Sequence, residues 1–219
     1  MAQASSSVIT ESPIKVLVLG HSFVRHASDY IDLNPTLSNL GLSSSTHEVH
    51  FIGRPGCHAR NLRNCFRQVN LIRPSLVLLD IGTYDLTYMS PDALFSQVYA
   101  VAKDLVELCG VSRVVLLQVL PRTVEGRWGE PESFTDKVNW YNILLKGHVY
   151  QNILSPIFQV PSTPISYWFH KGFRQDISSL ISDGVHLNEV GLPLYIRSLK
   201  RAVLKFSPSV RRLTSSSNQ

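Results

Sequence analysis

An apolar strand that ends on a glycine and leads directly into a helix is the feature that most constrains the fold. The segment Ile14–Leu19 reads Ile-Lys-Val-Leu-Val-Leu, and Gly20 ends this run. After it, apolar residues recur at helical spacing, at Phe23, Val24, Ala27, Tyr30 and Ile31. Ser22 is therefore predicted at the carboxyl end of a strand, where open α/β sheets bind ligands. It also starts a helix, where free N–H groups favour negative charge.

Apolar runs and helical patterns alternate five times along the chain, without an internal repeat. The predicted strands are Ile14–Leu19, His47–Ile52, Ser75–Ile81, Arg113–Leu120 and Ile165–Trp168. The predicted helices are Phe23–Leu33, Ala59–Ile72, Pro91–Leu108 with Ser90 as N-cap, Phe134–Tyr150, and Glu189–Phe206 with Asn188 as N-cap. This alternation predicts a parallel sheet between helices in one domain.

Length and composition set the boundaries of that domain. The chain of 219 residues is long enough for one well-buried core. We expect a disordered leader over 1–13, a single domain over 14–206 and a disordered tail over 207–219. No apolar stretch approaches the roughly 20 residues that span a bilayer, and the N-terminus lacks the order of a secretory signal. Three scattered cysteines, without metal spacing, complete the prediction of a cytoplasmic protein with reduced thiols.

The net charge of +5 is modest, and part of it lies near the C-terminus. The basic residues there are Lys200, Arg201, Lys205, Arg211 and Arg212. Two interpretations stay open: a solvated helix face with a frayed end, or a weak attraction for nucleic acid. No basic stripe interleaved with aromatic residues accompanies this charge, so a dedicated nucleic-acid-binding module is not predicted.

Four polar segments fall where predicted strands end at one edge of the sheet or just before the last helix. They are Gly20-His21-Ser22, Gly53-Arg-Pro-Gly56, Gly82-Thr-Tyr-Asp85 and Asp183-Gly-Val-His186. Each segment also has an ordinary interpretation as an N-cap, a plain turn or a loop. A carboxylate and an imidazole three residues apart on a glycine turn are more informative. The carboxylate can orient the ring while the other ring nitrogen faces a serine nucleophile.

In this order and spacing, the four segments resemble the conserved blocks of the SGNH (GDSL-type) hydrolase superfamily over nearly the whole chain. The most specific match is Asp183-Gly-Val-His-Leu-Asn188. The resemblance implies Ser22 as nucleophile, His186 as general base and Asp183 as the carboxylate that orients it. It implies the backbone N–H groups of Ser22 and Gly56 as oxyanion donors. The implied fold is α/β: a three-layer α/β/α sandwich with a flavodoxin-like parallel sheet of order 2-1-3-4-5. No metal or organic cofactor is implied.

More narrowly, three stretches of the sequence are similar to uncharacterised invertebrate SGNH-like proteins and to esterase domains of non-LTR retrotransposons. These stretches are Val18–Val24, Gly82–Leu86 and Asp183–Asn188.

Two residues depart from the pattern of the family. His21 stands where the family has an aspartate, and Tyr84 stands where it has the asparagine that supplies a third oxyanion donor. Losing one such donor costs about 10²–10³ in turnover. Tyr84 either donates from a different angle, blocks the pocket or points away, and the sequence leaves these three alternatives open.

Further candidates for substrate binding are His21, Arg54, Trp168 and His170. Arg54 would meet an anionic leaving group or stand solvated, and Trp168 and His170 would line the pocket or pack at a strand end. Asp80, inside an apolar strand, requires a hydrogen-bond partner, and we expect it to pair with His21. Cys57, beside Gly56, is a weak alternative nucleophile because no base is assigned to it.

These observations predict a serine hydrolase that cleaves a small ester with a short acyl or acetyl group. The predicted partner of the protein is the small-molecule ester. No association with a membrane is predicted, and the sequence indicates no oligomeric state. Two alternatives belong to other classes. One is a binding protein that has this fold but little catalysis, which Tyr84 favours. The other is an accessory esterase domain associated with nucleic acid through the basic C-terminal residues.

Overall fold

A parallel sheet forms the centre of the molecule. A computed structural model of the chain describes residues 12–122, 131–154, 164–173 and 177–208. In these residues the strands are β1 (Ile14–Gly20), β2 (His47–Gly53), β3 (Leu76–Asp80), β4 (Arg113–Leu117) and β5 (Ile165–Trp168). All neighbouring strands pair in parallel, in the order β2-β1-β3-β4-β5. The predicted fold class and strand order are therefore confirmed.

The predicted leader and tail fall almost wholly on residues that the structure does not describe. Residues 1–11 and 209–219 lie outside the described ranges, and they include Arg211 and Arg212 of the basic C-terminal group. The disorder predicted for both ends stays a prediction.

Five α-helices connect and cover the strands in the described part of the chain. They are α1 (Ser22–Asp32), α2 (Phe66–Ile72), α3 (Pro91–Glu107), α4 (Pro131–Leu154) and α5 (Gly191–Phe206). None of them is both long and apolar enough to cross a bilayer.

Several element boundaries differ from the prediction, including those of α2, β4 and α5. The segment Ala59–Cys65 forms a 3₁₀ helix instead of the first half of α2. Strand β4 ends earlier than predicted because the N–H and C=O of Val119 bond to the side chain of Asn142 at 3.0 and 2.9 Å. Helix α5 begins at Gly191, because the Asn188 side chain accepts the N–H groups of Val190 and Gly191 at 2.9 Å each and so caps the turn before the helix.

The two faces of the sheet are covered by different helices, which gives three layers. Successive strand residues point to opposite faces. The odd-numbered apolar residues of β1 and β3 pack in one core with α2, α3 and α4. The even-numbered residues of the same strands pack in a second core with α1 and α5.

The carboxyl ends of β1 and β3 form the crevice that this topology reserves for a ligand. The chain leaves β1 toward β2 on one side and continues from β3 toward β4 on the other, which makes this the topological switch point of the sheet. A Cβ atom on Gly20 would lie 2.0 Å from the carbonyl oxygen of Asp80. Only glycine therefore lets β1 approach β3 closely enough for the His21 N–H to donate to that oxygen at 3.2 Å.

Candidate active site

A chain of hydrogen bonds joins a serine, a histidine and an aspartate at this crevice. Ser22 is the first residue of α1, and its Oγ lies 3.0 Å from His186 Nε2. On the other side of the ring, His186 Nδ1 lies 2.7 Å from Asp183 Oδ2. Since a carboxylate only accepts hydrogen bonds, Nδ1 carries the proton and Nε2 presents its lone pair to the serine hydroxyl. The structure thus brings together the three residues predicted to carry the reaction.

Ser22 does not cap helix α1, which was the ordinary interpretation of a serine at this place. The N-cap is His21, whose ring Nδ1 accepts the N–H of Phe23 at 3.4 Å. The hydroxyl of Ser22 is consequently not held by its own helix and is directed to His186.

The loop that carries Asp183 and His186 is held by its own backbone. Asp183 Oδ1 accepts the N–H groups of Val185 and His186 at 2.9 and 2.6 Å, and Gly184 takes the left-handed conformation with φ of 79° that the turn requires. An antiparallel bridge between Ile181 and Leu187 closes the base of the loop. Asp183 therefore both caps its own turn and orients the imidazole.

These contacts also determine the protonation state of Asp183. Desolvation alone would raise the pKa of this carboxyl, but the hydrogen bonds from the His186 ring and from the His186 and Val185 amides outweigh it. They hold the pKa of Asp183 well below its usual range. The carboxylate is charged at neutral pH, which is the state that stabilises an imidazolium.

Ser22 and Gly56 both line a cavity of about 300 Å³. Among the described residues, the N–H groups of Ser22 and Gly56 have no hydrogen-bond acceptor in the protein. Gly56 adopts φ of 67°, with open space where a Cβ atom would lie. Amides of this kind next to a nucleophile can hold the oxygen of a tetrahedral intermediate.

The Gly56 turn is tied to the loop after β3 by a buried carboxylate. Asp85 is fully buried; its two oxygens bond to His58 Nδ1 at 2.9 Å and to the Ala59 N–H at 3.1 Å. Both partners of Asp85 lie after β2, and these bonds position one wall of the cavity.

Tyr84 lines the cavity but is bonded to another tyrosine. The hydroxyl of Tyr88 donates to the hydroxyl of Tyr84 at 2.7 Å, and the Tyr84 ring lies 4.9 Å from the ring of His58. No hydrogen bond joins Tyr84 to Ser22 or Gly56 in the described part of the chain. Its contribution as a third oxyanion donor stays a prediction.

His21 lies beneath Ser22, and its predicted pairing with Asp80 is confirmed. His21 Nε2 is 3.3 Å from Asp80 Oδ1 and 3.2 Å from Thr83 Oγ1, and the Tyr195 hydroxyl donates to the other oxygen of Asp80. Asp80 is only 2% exposed. Burial alone would raise the pKa of Asp80, but His21 and the Tyr195 hydroxyl outweigh it and hold the pKa below its ordinary value. His21 borders the cavity, and its Nδ1 lies 3.4 Å from Ser22 Oγ.

Two of the predicted substrate-binding residues lie elsewhere. Trp168, at the end of β5, donates from Nε1 to Ser198 Oγ at 2.9 Å and lines a separate cavity of about 550 Å³. His170 is fully buried, and its Nδ1 lies 2.8 Å from the same Ser198 hydroxyl. Both side chains anchor α5 to the sheet, which was the alternative interpretation of packing at a strand end.

The burial of His170 predicts a pH-dependent stability. Desolvation lowers the pKa of His170 to about 4, against a smaller opposing effect of Asp80. Between pH 6.5 and 4 the unfolded chain binds a proton at this residue and the folded chain does not, so stability falls as the pH falls. The loss is about 3 kcal/mol over this range. Urea denaturation of the His170→Gln variant should show a flatter dependence on pH than the wild type.

The Ser198→Ala variant is the control for this measurement. It removes the hydrogen-bond partner of His170 without removing the titrating group. We expect it to lower the free energy of unfolding at every pH and to keep the wild-type slope. An unchanged slope in His170→Gln would contradict the assignment.

Arg54 also lies away from the cavity, and another arginine that the sequence analysis missed takes its place. The guanidinium of Arg54 donates to Gln68 Oε1 of α2 at 3.0 Å. Arg122, by contrast, lines the cavity together with Ser22 and His186. The signal was present in the sequence, because Arg122 comes two residues after Leu120, the last residue of the fourth predicted strand. That position predicts Arg122 at the same edge of the sheet.

His26 is a second residue that the sequence did not single out. It lies on α1 one turn after Ser22, and its ring centroid is 4.6 Å from that of His186. Burial lowers the pKa of His26, and the neighbouring His186 lowers it further. Two imidazoles in contact disfavour a second positive charge, so His26 is neutral when His186 takes a proton.

Neither a thiol nucleophile nor a metal centre is favoured by the described residues. Burial raises the pKa of Cys57 to about 11, so its thiol is protonated at neutral pH and is a poor nucleophile. All three cysteines have free thiols. Within the described ranges, no group of three or more His, Cys, Asp or Glu side chains is arranged to hold a metal ion.

Several solved structures share the fold of this chain. A GDSL-like lipase of Bacteroides thetaiotaomicron matches with a TM-score of 0.63 and 19% identity over 88% of each chain. A family 3 carbohydrate esterase of Talaromyces cellulolyticus matches with a TM-score of 0.58 and 18% identity, over 88% of this chain and 97% of the other. An acetylxylan esterase of Geobacillus stearothermophilus matches with a TM-score of 0.62 and 16% identity, over 89% and 95%.

This similarity is one of fold. No protein-family model matches the chain, and no curated protein matches its sequence. The chain shares the α/β/α fold of these lipases and esterases, as the resemblance in sequence implied. The narrower similarity to invertebrate proteins and retrotransposon domains stays a prediction.

Proposed function

We propose that this chain, which has the fold of GDSL-like lipases and carbohydrate esterases, is a serine hydrolase that cleaves a small ester with a short acyl or acetyl group. The observation that carries the proposal is the 3.0 Å hydrogen bond between Ser22 Oγ and His186 Nε2. The other nitrogen of the same ring is hydrogen-bonded to the charged carboxylate of Asp183. This arrangement makes a serine hydroxyl nucleophilic.

In the first half of the reaction, His186 acts as general base and then as general acid. Ser22 Oγ attacks the ester carbonyl carbon while the hydroxyl proton moves to His186 Nε2. The new C–O bond leaves a negative charge on the carbonyl oxygen, which the amides of Ser22 and Gly56 hold. The bond from carbon to the alcohol oxygen then breaks, and His186 gives the proton to the departing alcohol.

In the second half, water replaces the alcohol. His186, neutral again, takes a proton from water as its oxygen attacks the acyl-serine. The same two amides hold the second tetrahedral intermediate, and its collapse returns the proton from His186 to Ser22 Oγ and releases the carboxylic acid. Asp183 remains charged throughout and stabilises the imidazolium in both halves.

The size of the cavity supports a small substrate. A volume of about 300 Å³ lies at the lower end of the range for ligand pockets. It suits an acetyl or other short acyl group better than a long alkyl chain. The similar folds whose names include esterases of carbohydrates support the ester as the bond that is cleaved.

The proposal is tested by hydrolysis of p-nitrophenyl acetate and by labelling with a fluorophosphonate, which reacts only with an activated serine. We expect turnover above the buffer rate, and we expect mass spectrometry to place the label on Ser22. The His186→Ala variant should be labelled far more slowly. A folded protein that neither hydrolyses the ester nor takes the label would favour the alternative of a non-catalytic binding protein.

The Tyr84→Asn variant tests the state of the oxyanion site. It introduces the side-chain amide that the family carries at this position, and one oxyanion donor is worth about 10²–10³ in turnover. We expect kcat for p-nitrophenyl acetate to rise at least tenfold. The matched variant Tyr88→Phe removes only the hydroxyl that bonds to Tyr84 and should change kcat little. A lower kcat in Tyr84→Asn would mean that the tyrosine hydroxyl itself is the third donor.

A further inference from the structure

Arg122 is the one side chain with a full positive charge among those lining the cavity beside Ser22, within the part of the chain that the structure describes. It follows β4 at the carboxyl edge of the sheet. Its guanidinium carbon lies 5.2 Å from the centroid of the Phe134 ring of α4. Stacking on an aromatic face fixes the plane of a guanidinium and leaves its N–H edge free to bind.

One donor of the Arg122 guanidinium lacks an acceptor in the part of the chain that the structure describes. Its Nε is buried and has no hydrogen-bond partner among the described residues. None of the ion pairs in that part of the chain includes Arg122. A buried donor without an acceptor costs about 1–3 kcal/mol, and more when it is charged, so the site is incomplete without a ligand that accepts.

The acidic groups around the cavity do not fill this role. Both oxygens of Asp183 are engaged by His186 and by the amides of its own turn, and those of Asp80 are engaged by His21 and Tyr195. Burial lowers the pKa of Arg122, and Asp183, Tyr84 and Tyr88 oppose this only in part. The guanidinium stays charged at neutral pH, so a bound anion would compensate a partly buried positive charge.

We propose that Arg122 binds an anionic oxygen group of the substrate, a carboxylate or a phosphate, and that the cavity thereby selects negatively charged esters. A guanidinium with a free N–H edge matches the geometry of both groups. The inference rests on the proposed function, because the cavity it concerns is the one beside Ser22. It also assigns to Arg122 the recognition that the sequence suggested for Arg54.

Three acetate esters of one phenol scaffold test the selectivity: 4-acetoxybenzoate, 4-acetoxyphenyl phosphate and the neutral 4-acetoxybenzamide. The readout is the ratio of kcat/KM for each anionic ester to kcat/KM for the neutral one. We expect this ratio to fall roughly 10- to 100-fold in Arg122→Gln, the value of one charged hydrogen-bond pair. Arg122→Lys should keep part of the ratio. The anionic ester with the larger Arg122-dependent ratio identifies the preferred group.

The Arg25→Gln variant is the control for long-range charge. Arg25 lies on α1 close to Ser22 in sequence, but its side chain pairs with Asp29 on the outer face. The Arg25→Gln substitution removes the same charge at a site outside the cavity. This variant should therefore keep the wild-type ratio of kcat/KM for anionic and neutral esters. The inference is overturned if the wild-type protein shows no preference that depends on Arg122. An equal loss toward anionic and neutral esters would also overturn it, since Arg122 would then act on the reacting carbonyl oxygen.

A binding measurement separates this inference from the proposed function. Calorimetry with the Ser22→Ala variant measures binding without catalysis. It compares the dissociation constants of the anionic 4-acetoxybenzoate and 4-acetoxyphenyl phosphate with that of the neutral 4-acetoxybenzamide. The anion site is supported if at least one anionic compound binds more tightly than the neutral one and this difference is lost in the Ser22→Ala/Arg122→Gln double variant. This result would count even if no ester is hydrolysed. Equal binding of the anionic and neutral compounds would overturn it even if the protein is an active esterase.

Discussion

The Ser22→Ala variant is expected to hydrolyse p-nitrophenyl acetate about 10⁴- to 10⁶-fold more slowly than the wild-type protein, which is the range for loss of the nucleophile of a serine hydrolase. Removing the hydroxyl removes the atom that forms the bond to the acyl carbon. The donors that remain, the backbone N–H at position 22 and that of Gly56, can still polarise a bound carbonyl. The rate is therefore expected to stay slightly above that of buffer. The measurement is kcat/KM by absorbance, with fluorophosphonate labelling as an independent readout.

The loss is expected without a loss of folding, because the N-cap of α1 is His21 and not Ser22. Ser96→Ala is the matched control. Ser96 is exposed on α3, where its hydroxyl bonds to the carbonyl of Asp92 at 3.0 Å, and its substitution should leave both readouts at the wild-type level. Equal hydrolysis by wild type and Ser22→Ala would exclude Ser22 as the nucleophile.

The Asp80→Ala variant is expected to lose about 2–6 kcal/mol of folding free energy, because two buried donors lose their acceptor at about 1–3 kcal/mol each. Asp80 is 2% exposed, and it accepts hydrogen bonds from His21 and from Tyr195 of α5. Without the carboxylate, two buried donors at the centre of the sheet lose their acceptor. Urea denaturation at pH 7 measures the change, and activity should fall with it because His21 leads directly into Ser22.

The exposed pair Arg25–Asp29 provides the comparison. Its side chains are 58% and 48% exposed, and Asp29→Ala should cost at most about 1 kcal/mol. A similar cost for the two aspartates would contradict the role of Asp80. The pH dependence gives a second check. Burial tends to raise the pKa of Asp80, but His21 and Tyr195 bring it below its ordinary value. Its stabilisation is therefore complete above about pH 4 and is lost as the pH falls further.

Much of the candidate site could be predicted because its residues lie at predictable ends of elements. Ser22 follows β1, Gly56 follows β2 and Tyr84 follows β3, and parallel strands bring their carboxyl ends to one edge. The Asp183–His186 turn is local, so four consecutive residues define its geometry. The prediction failed for Trp168 and His170, because a position at a strand end does not determine whether a side chain faces the cavity or a packed helix.

The sequence by itself determined the α/β fold and the residues expected at the crevice, because periodicity, glycine turns and a short Asp–His spacing are local properties. The strand order was implied by the family resemblance. Only the tertiary structure decided which side chains complete that crevice. It turned Arg54 toward Gln68 and brought Arg122 into the cavity. It buried His170 against Ser198. These outcomes depend on packing between segments far apart in the chain, and no local pattern encodes them.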